Sequence, residues 1–164
     1  MIVKARAVKF GDNVDTDVIL PGKYLVLTDP GELGKHAMEG LSPDFAASSA
    51  EGVVIVAGEN FGQGSSREHA PVALKAAGVR CVIAQSFARI FYRNAINIGL
   101  PALECSEISK VNDGDELSVD LERGEITNLT TGATASVQPI PGNLLQVLKD
   151  GGIIEHLKRK RGHQ

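Results

Sequence analysis

The stretch of residues 53–84 constrains the fold of this chain more than any other part of its sequence. An uninterrupted apolar run, Val53–Ala57, leads into the loop GENFGQGSSREH at 58–69. A helix-like stretch, Ala70–Ala77, and a second short apolar run, Val79–Ala84, come next. A continuous Val/Ile run bounded by glycines is typical of a strand buried on both faces, and strands that alternate with helices form parallel sheets. We therefore predict an α/β fold with a mainly parallel sheet flanked by helices.

The loop at 58–69 has the composition of an anion-binding site. Gly62 and Gly64 allow backbone N–H groups to approach a ligand closely, because no Cβ stands in the way. The helix that follows presents unpaired N–H groups and the positive end of its dipole, and Arg67 adds a cation. Ligands of open α/β sheets bind where a strand ends and the next helix begins. The loop is therefore the candidate functional site, and it suits a carboxylate or a phosphate.

Ser65 is open to two interpretations on local grounds. Glu68 follows three residues later, so Ser65 could cap the helix in a capping box. Pro71 favours a helix start nearer Arg67 or Glu68, because a proline beyond the first turn interrupts a helical hydrogen bond. That start leaves Ser65 in the loop and free for chemistry. An ordinary Gly/Ser turn remains the alternative to a functional loop.

The rest of the chain predicts further elements of the same fold. Residues 2–8 alternate between apolar and basic side chains, which indicates a half-buried strand. Ser86 is predicted to cap a helix that ends at Gly99. A small additional β section is predicted across 117–137, followed by a terminal pair of helices broken at Gly151-Gly152.

The polar loop Gly11–Pro21 contains two closely spaced carboxylates. Asp15 and Asp17 would share a face if the segment were extended, since side chains alternate along a strand. A solvated turn is the interpretation that composition alone favours.

Composition limits the function classes. The 164 residues suit a single domain, 1–164, and 43% apolar with 23% charged residues is ordinary for a globular protein. A net charge of −3 gives no indication of nucleic acid or of a membrane surface, and no apolar run approaches the roughly 20 residues of a membrane span. The isolated cysteines Cys81 and Cys105 offer neither a disulfide framework nor a metal-binding spacing. We expect a cytoplasmic protein that itself binds no metal.

Two longer motifs resemble a known family. GENFGQGSSREHAPVALKAAGVRCVIAQSFARIFYRNAINIGLP, at 58–101, is similar to the signature of the swivelling domain of the aconitase superfamily. GDNVDTDVILP, at 11–21, is a second match. The resemblance covers essentially the whole chain and is closest to the small subunits of isopropylmalate isomerase and homoaconitase. It implies a swivelling β/β/α domain.

The resemblance also implies an activity, which is that of a hydro-lyase. Such an enzyme removes water from a hydroxy acid and adds it back with hydroxyl and hydrogen exchanged between adjacent carbons. By position in the motifs, Ser65 would be the base, and Arg67, Ser66 and Gly64 would hold a substrate carboxylate. Asp17 would lie at the active site.

The Lewis acid of the family is a four-iron–four-sulfur cluster, which implies a partner. A cluster needs about three or four thiolates, so the two cysteines of this chain cannot hold one alone. The resemblance places the cluster on a large catalytic subunit and makes the substrate a small hydroxy-dicarboxylic acid. Whether the isolated chain forms a homo-oligomer stays open.

A further segment resembles the one that sets substrate choice in this family, and it consists of Tyr24, Leu25, Val26, Leu27 and Thr28. Homoaconitase-like proteins carry an arginine directly after Tyr-Leu, where this chain has Val26. A valine would leave an extra substrate carboxylate unpaired and desolvated, which is costly. Val26 and Leu27 would suit an isopropyl group, at about 0.8 kcal/mol for each buried CH₂. The alternative is that both are core residues.

These features together favour the small subunit of an isopropylmalate isomerase of the leucine pathway, inactive until it docks on the large subunit. One alternative is the small subunit of a homoaconitase or of a related alkylmalate dehydratase. Another is a non-catalytic module that uses the same loop to bind an anion.

Overall fold

The computed structural model describes residues 1–65 and 67–162, and in this part of the chain seven strands form one mixed sheet. The strands are β1 (Ile2–Lys9), β2 (Val53–Ala57), β3 (Val79–Ala84), β4 (Ala102–Glu104), β5 (Glu116–Asp120), β6 (Glu125–Asn128) and β7 (Thr134–Ser136). Their order across the sheet is β4-β3-β2-β1-β5-β6-β7. Strands β1 to β4 are parallel, whereas β5 to β7 continue the sheet from β1 as antiparallel neighbours. The predicted α/β class is confirmed, and the additional β section proves to be the antiparallel half of the same sheet.

Seven α-helices are described, and six of them contact one another. They are α1 (Thr16–Ile19), α2 (Pro30–Gly34), α3 (Phe45–Ser48), α4 (His69–Ala77), α5 (Arg89–Asn97), α6 (Gly142–Lys149) and α7 (Ile153–Gly162). Two short 3-10 helices cover Gly22–Tyr24 and Ile108–Lys110. Helix α4 packs against α1, α2 and α5, and α5 in turn contacts α6 and α7. No helix of the described residues is long and apolar enough to cross a bilayer.

Local sequence patterns account for the central strands. All five residues of β2 are buried, as the continuous apolar run predicts, because β2 lies between β1 and β3. In β1 the alternation is also confirmed, with Val3, Ala5 and Ala7 buried. Helix α4 begins after Glu68, so Pro71 falls in its first turn, where its missing N–H interrupts no helical bond.

Helix α5 begins later than its sequence predicts. Ser86 was expected to be its cap, but the helix starts at Arg89 with Ala88 as the N-cap. Ser86 is engaged elsewhere: its hydroxyl accepts a hydrogen bond from Asn60 N at 2.8 Å, and its carbonyl accepts one from Phe61 N at 3.0 Å. The prediction was wrong because residues 86–88 pair with the loop after β2 instead of joining the helix. The predicted C-terminal signals are confirmed, since Gly99 has φ +85° and Gly151-Gly152 separate α6 from α7.

Candidate functional site

Two loops meet at the carboxyl ends of the adjacent parallel strands β1 and β2. The loop after β1 runs beside the loop after β2, and three backbone hydrogen bonds of 2.7–2.8 Å join them. These are Asn13 N to Glu59 O, Gly62 N to Val14 O, and Thr16 N to Gln63 O. The arrangement brings both family motifs into one site, as the general position of ligands in open α/β sheets predicts.

Ser65 is exposed at the end of the second loop, where a hydroxyl can reach a ligand. Its Oγ lies 3.3 Å from Thr16 Oγ1, and its carbonyl accepts a hydrogen bond from Arg67 N at 2.9 Å. Gly64 has φ +104°, and a Cβ there would lie 3.2 Å from Thr16 Oγ1. Glycine is therefore needed both for the backbone conformation and for the close approach of the two loops. Ser65 does not cap α4, because the cap position is Glu68.

Thr16 is a site residue that sequence reasoning missed. Thr16 is buried, with 3% of the residue exposed, and its hydroxyl contacts the hydroxyl of Ser65. The only available signal was its place between Asp15 and Asp17 in the N-terminal motif. Its importance depends on a contact between residues 49 positions apart.

Arg67 and Asp17, both predicted as site residues, form an ion pair. Arg67 Nη1 lies 3.1 Å from Asp17 Oδ1, and the same oxygen accepts a hydrogen bond from Gly22 N at 3.0 Å. The Arg67 side chain is 25% exposed, whereas Asp17 is 68% exposed. The ion pair uses Nη1, and the other N–H groups of the guanidinium suit the binding of a carboxylate.

Asp15 does not share a face with Asp17, contrary to the expectation for an extended segment. The chain turns into helix α1 at Thr16, and Asp15 becomes its N-cap. Its Oδ1 accepts a hydrogen bond from Val18 N at 2.9 Å. The local competition between a strand and a capped helical turn decides the outcome. Asp15 is thus structural, and Asp17 alone faces Arg67.

The segment Tyr24–Thr28 follows Gly22, which lies beside the Arg67 ion pair. A Cβ built on Gly22, two residues before Tyr24, would lie 3.5 Å from Arg67 Nη2. Leu25 and Leu27 are partly buried against the core, whereas Val26 is 83% exposed. The interpretation of Val26 as a core residue is therefore wrong. Its apolar side chain is accessible to a ligand or a partner protein. Ser66, the remaining predicted site residue, lies outside the described residues.

The loop after β2 rests on an aromatic cluster formed by Phe61, Phe87 and Phe91. Phe61 is fully buried, and its ring lies edge-on to Phe91 with centroids 5.2 Å apart. The rings of Phe87 and Phe91 are nearly parallel, at 6.2 Å. Gly62, with φ +84°, touches this cluster so closely that a Cβ would lie 2.2 Å from Phe91 Cγ. The backbone leading to Ser65 is therefore positioned by packing of the helix α5 region.

The cysteines of this chain do not suit a metal cluster. Cys81 is fully buried and burial raises its pKa to about 12, while burial also raises the pKa of the Cys105 thiol. A thiolate is the form that binds metal, and both environments disfavour it. Within residues 1–65 and 67–162, no three His, Cys, Asp or Glu side chains are grouped so that they could hold a metal ion.

Comparison with known proteins identifies the family. The family described as the aconitase C-terminal domain matches residues 14–108, which is more than half of the chain. The chain belongs to the aconitase C-terminal domain family. The matched range includes the loop after β2 and the loop after β1 from residue 14 onward, so the resemblance seen in the sequence motifs is confirmed at the level of the family.

Individual relatives of this aconitase-family chain match it over nearly full length. The isopropylmalate/citramalate isomerase small subunit of Methanocaldococcus jannaschii is 59% identical over 160 residues, covering 97% of this chain and 95% of the relative. The 3-isopropylmalate dehydratase small subunit of Methanosarcina mazei is 55% identical over 157 residues, covering 96% of this chain and 97% of the relative.

Solved structures agree with this fold. The crystal structure of 3-isopropylmalate dehydratase from Methanocaldococcus jannaschii has a TM-score of 0.93 at 48% identity, covering 98% of this chain and 96% of that one. Aconitase X of Thermococcus kodakaraensis covers 84% of this chain and 92% of that one, with a TM-score of 0.52 at 14% identity. The second likeness concerns the fold alone.

Proposed function

We propose that this chain is the small subunit of an isopropylmalate dehydratase, a hydro-lyase of leucine biosynthesis that acts together with a large subunit. The observation that carries the proposal is an exposed Ser65 whose carbonyl accepts a hydrogen bond from the backbone N–H of Arg67, in an aconitase-family chain with relatives of that name. A hydroxyl and a guanidinium at one surface match the two needs of the reaction. The hydroxyl would take a proton from the carbon next to a carboxylate, and the guanidinium would bind that carboxylate.

Ser65 would act as the base. A serine hydroxyl is a weak base unless its alkoxide is stabilised, so nearby donors must supply that stabilisation in a site closed to water. Thr16 Oγ1, at 3.3 Å, can donate a hydrogen bond to Ser65 Oγ when the serine loses its proton. Arg67 adds a positive charge on the same loop.

Arg67 would bind a substrate carboxylate, and Asp17 would orient the Arg67 guanidinium. The ion pair with Asp17 occupies one edge of the guanidinium through Nη1, which leaves other N–H groups for a second, bidentate partner. Ser66 would be a further hydrogen-bond donor. We assign the backbone of Gly64 to the same carboxylate site because no Cβ obstructs its approach.

A large subunit would supply what this surface lacks. Ser65 and Gly64 are exposed, so water must be excluded by something that covers them. A Lewis acid that draws off the hydroxyl must also come from outside, since neither Cys81 nor Cys105 suits a cluster. We therefore assign the iron–sulfur cluster to the large subunit. The interface would surround the two loops of the site.

The exposed valine at position 26 favours a substrate with an apolar side chain. Its isopropyl group offers no charge to a second carboxylate on the substrate, which argues against homoaconitate. Citramalate is a second candidate substrate, because the relative from Methanocaldococcus jannaschii is named as an isomerase of both isopropylmalate and citramalate.

The test is turnover by this chain reconstituted anaerobically with its large subunit, assayed with isopropylmalate, citramalate and homoaconitate. We expect isopropylmalate turnover only from the pair. Ser65→Ala should lower kcat by about 10²–10⁴-fold, the usual contribution of general base catalysis. Assembly of the Ser65→Ala pair, followed by size-exclusion chromatography, should be unchanged.

Ser106→Ala is the matched control, because Ser106 is also exposed but lies in the turn after β4. It should retain the normal rate. A Ser65→Ala pair with a near-normal rate would refute the assigned base. Anion binding by the isolated chain, without turnover by the pair, would instead favour a binding module.

A further inference from the structure

Three side chains form a closed cluster beside the segment that presents Val26. The Tyr24 ring stacks on the His36 imidazole, with centroids 3.7 Å apart and an angle of 9° between the planes. The Tyr24 hydroxyl donates a hydrogen bond to Glu39 Oε1 at 2.7 Å, and Glu39 Oε2 contacts His36 Nδ1. Each member therefore contacts both others. Sequence alone does not show this cluster, because Tyr24 and Glu39 lie 15 positions apart.

The cluster joins the two ends of one surface segment. Tyr24 directly precedes Leu25–Thr28, whereas His36 and Glu39 lie in the turns after α2, up to 15 residues further along the chain. The far end is itself anchored, because Met38 N donates a hydrogen bond to Ile19 O at 2.7 Å. The intervening chain, which includes helix α2, is thus joined at its two ends by side-chain contacts.

The protonation states of Tyr24 and Glu39 favour the hydrogen bond between them. Hydrogen bonds from Tyr24 and His36 keep the pKa of Glu39 below its ordinary value, so its carboxylate is an ionised acceptor at neutral pH. The Glu39 hydrogen bond raises the pKa of Tyr24, so the phenol keeps the proton that it donates. Lys23 Nζ lies 5.2 Å from the centroid of the Tyr24 ring and adds a cation–π contact.

Packing alone provides little to hold Val26. Val26 is 83% exposed, and its neighbours Leu25 and Leu27 are only partly buried. A segment with so little buried surface is ordered mainly by its attachments. A segment that becomes ordered only when the substrate binds loses conformational entropy, which weakens binding. A segment that is already ordered avoids this entropic cost.

We propose that Tyr24, His36 and Glu39 are positioning residues that hold Leu25–Thr28 in the conformation in which Val26 meets the substrate. This inference rests on the proposed function, in which that segment contacts the substrate side chain. Among the described residues, no hydrogen bond, ion pair or ring contact joins these three residues to Ser65 or Arg67, so they act on substrate binding and not on proton transfer. Their loss therefore raises KM for isopropylmalate and leaves kcat nearly unchanged.

The test uses two readouts, one of which needs no activity. Lys23 and Lys35 are exposed and flank the segment, so tryptic cleavage after them reports its order in the isolated chain. Glu39→Ala removes two contacts of the cluster and should speed this cleavage by about tenfold, the equivalent of one or two hydrogen bonds. In the reconstituted pair it should raise KM by a similar factor.

Smaller changes separate the contacts. Tyr24→Phe keeps the stacked ring and removes the hydroxyl, so its effect should be smaller than that of Glu39→Ala. Glu39→Gln keeps an acceptor for Tyr24 and should restore much of the order. Glu32→Ala is the matched control, because it removes an exposed carboxylate of the same segment that, among the described residues, pairs with Lys35; cleavage after Lys23 and KM should both stay at wild-type values.

The outcomes distinguish this inference from the proposed function. Unchanged cleavage in Glu39→Ala would refute the cluster as an anchor, whatever the enzyme does. Faster cleavage with an unchanged KM would refute its role in substrate binding. A wild-type pair that is inactive on all three substrates would refute the proposed function, and with it the role in substrate binding, while the anchor itself would still be decided by proteolysis.

Discussion

Replacing Gly62 with alanine is expected to destabilise this protein through two separable effects. Gly62 has φ +84°, a conformation that costs an L-residue about 1–2 kcal/mol. The new methyl group would also lie 2.2 Å from Phe91 Cγ, 2.4 Å from its Cβ and 2.7 Å from its Cδ2. Phe91 is 2% exposed and packs against Phe61 and Phe87, so its ring cannot move without disturbing the cluster. Relieving such an overlap in a packed core costs about 1–3 kcal/mol.

The two effects together predict a loss of about 2–5 kcal/mol in the free energy of unfolding. For a domain of this size, that lowers Tm by roughly 4–20 °C. Urea denaturation followed by circular dichroism gives the free energy directly. Because Gly62 leads into the Ser65 loop, turnover by the reconstituted pair should fall in the same variant.

Gly132→Ala is the control that isolates the overlap. Gly132 has φ +83°, nearly the value at Gly62, but nothing lies within 4 Å of the position of its Cβ. It should lose only the conformational part, about 1–2 kcal/mol. The excess loss at Gly62 should shrink in a Phe91→Ala background, since alanine lacks the Cγ and Cδ2 atoms that lie 2.2 and 2.7 Å from the new methyl group. Equal losses in the two single variants would refute the assignment of the excess to Phe91.

Two further predictions concern specificity and pH. Val26→Arg should lower kcat/KM for isopropylmalate relative to homoaconitate, because a guanidinium replaces an apolar contact and can pair with the extra carboxylate; an unchanged ratio would remove Val26 from the substrate site. Burial raises the pKa of Cys81 from 9.0 to about 12, so the unfolded chain loses this proton first and stability should decline as the pH rises between those values. Urea titrations at pH 8 and above should show a smaller decline in Cys81→Ala, and an equal decline in both proteins would contradict the reasoning.

Elements defined by neighbouring residues were predicted well. Strand β2 and helix α4 follow from a buried apolar run and from the position of Pro71, both of which act over a few residues. The errors arise where a residue had two partners to choose from. Ser86 could cap α5 or bind the backbone of Asn60, and Asp15 could lie in an extended segment or cap α1. Ser86 binds the loop after β2, and Asp15 caps the helical turn of α1.

The sequence by itself determined the strand–loop–helix unit and, through its motifs, the aconitase family and the loop that carries Ser65 and Arg67. Hydrophobic periodicity and backbone preferences are local properties, so they can be recognised in a linear chain. Only the tertiary structure decided that Arg67 pairs with Asp17, that Thr16 meets Ser65 and that Tyr24 is held by Glu39. The first two contacts form because the adjacent parallel strands β1 and β2 end at the same edge of the sheet. The third forms because residues 24 and 39 come together in space. Neither proximity can be recognised from the linear sequence.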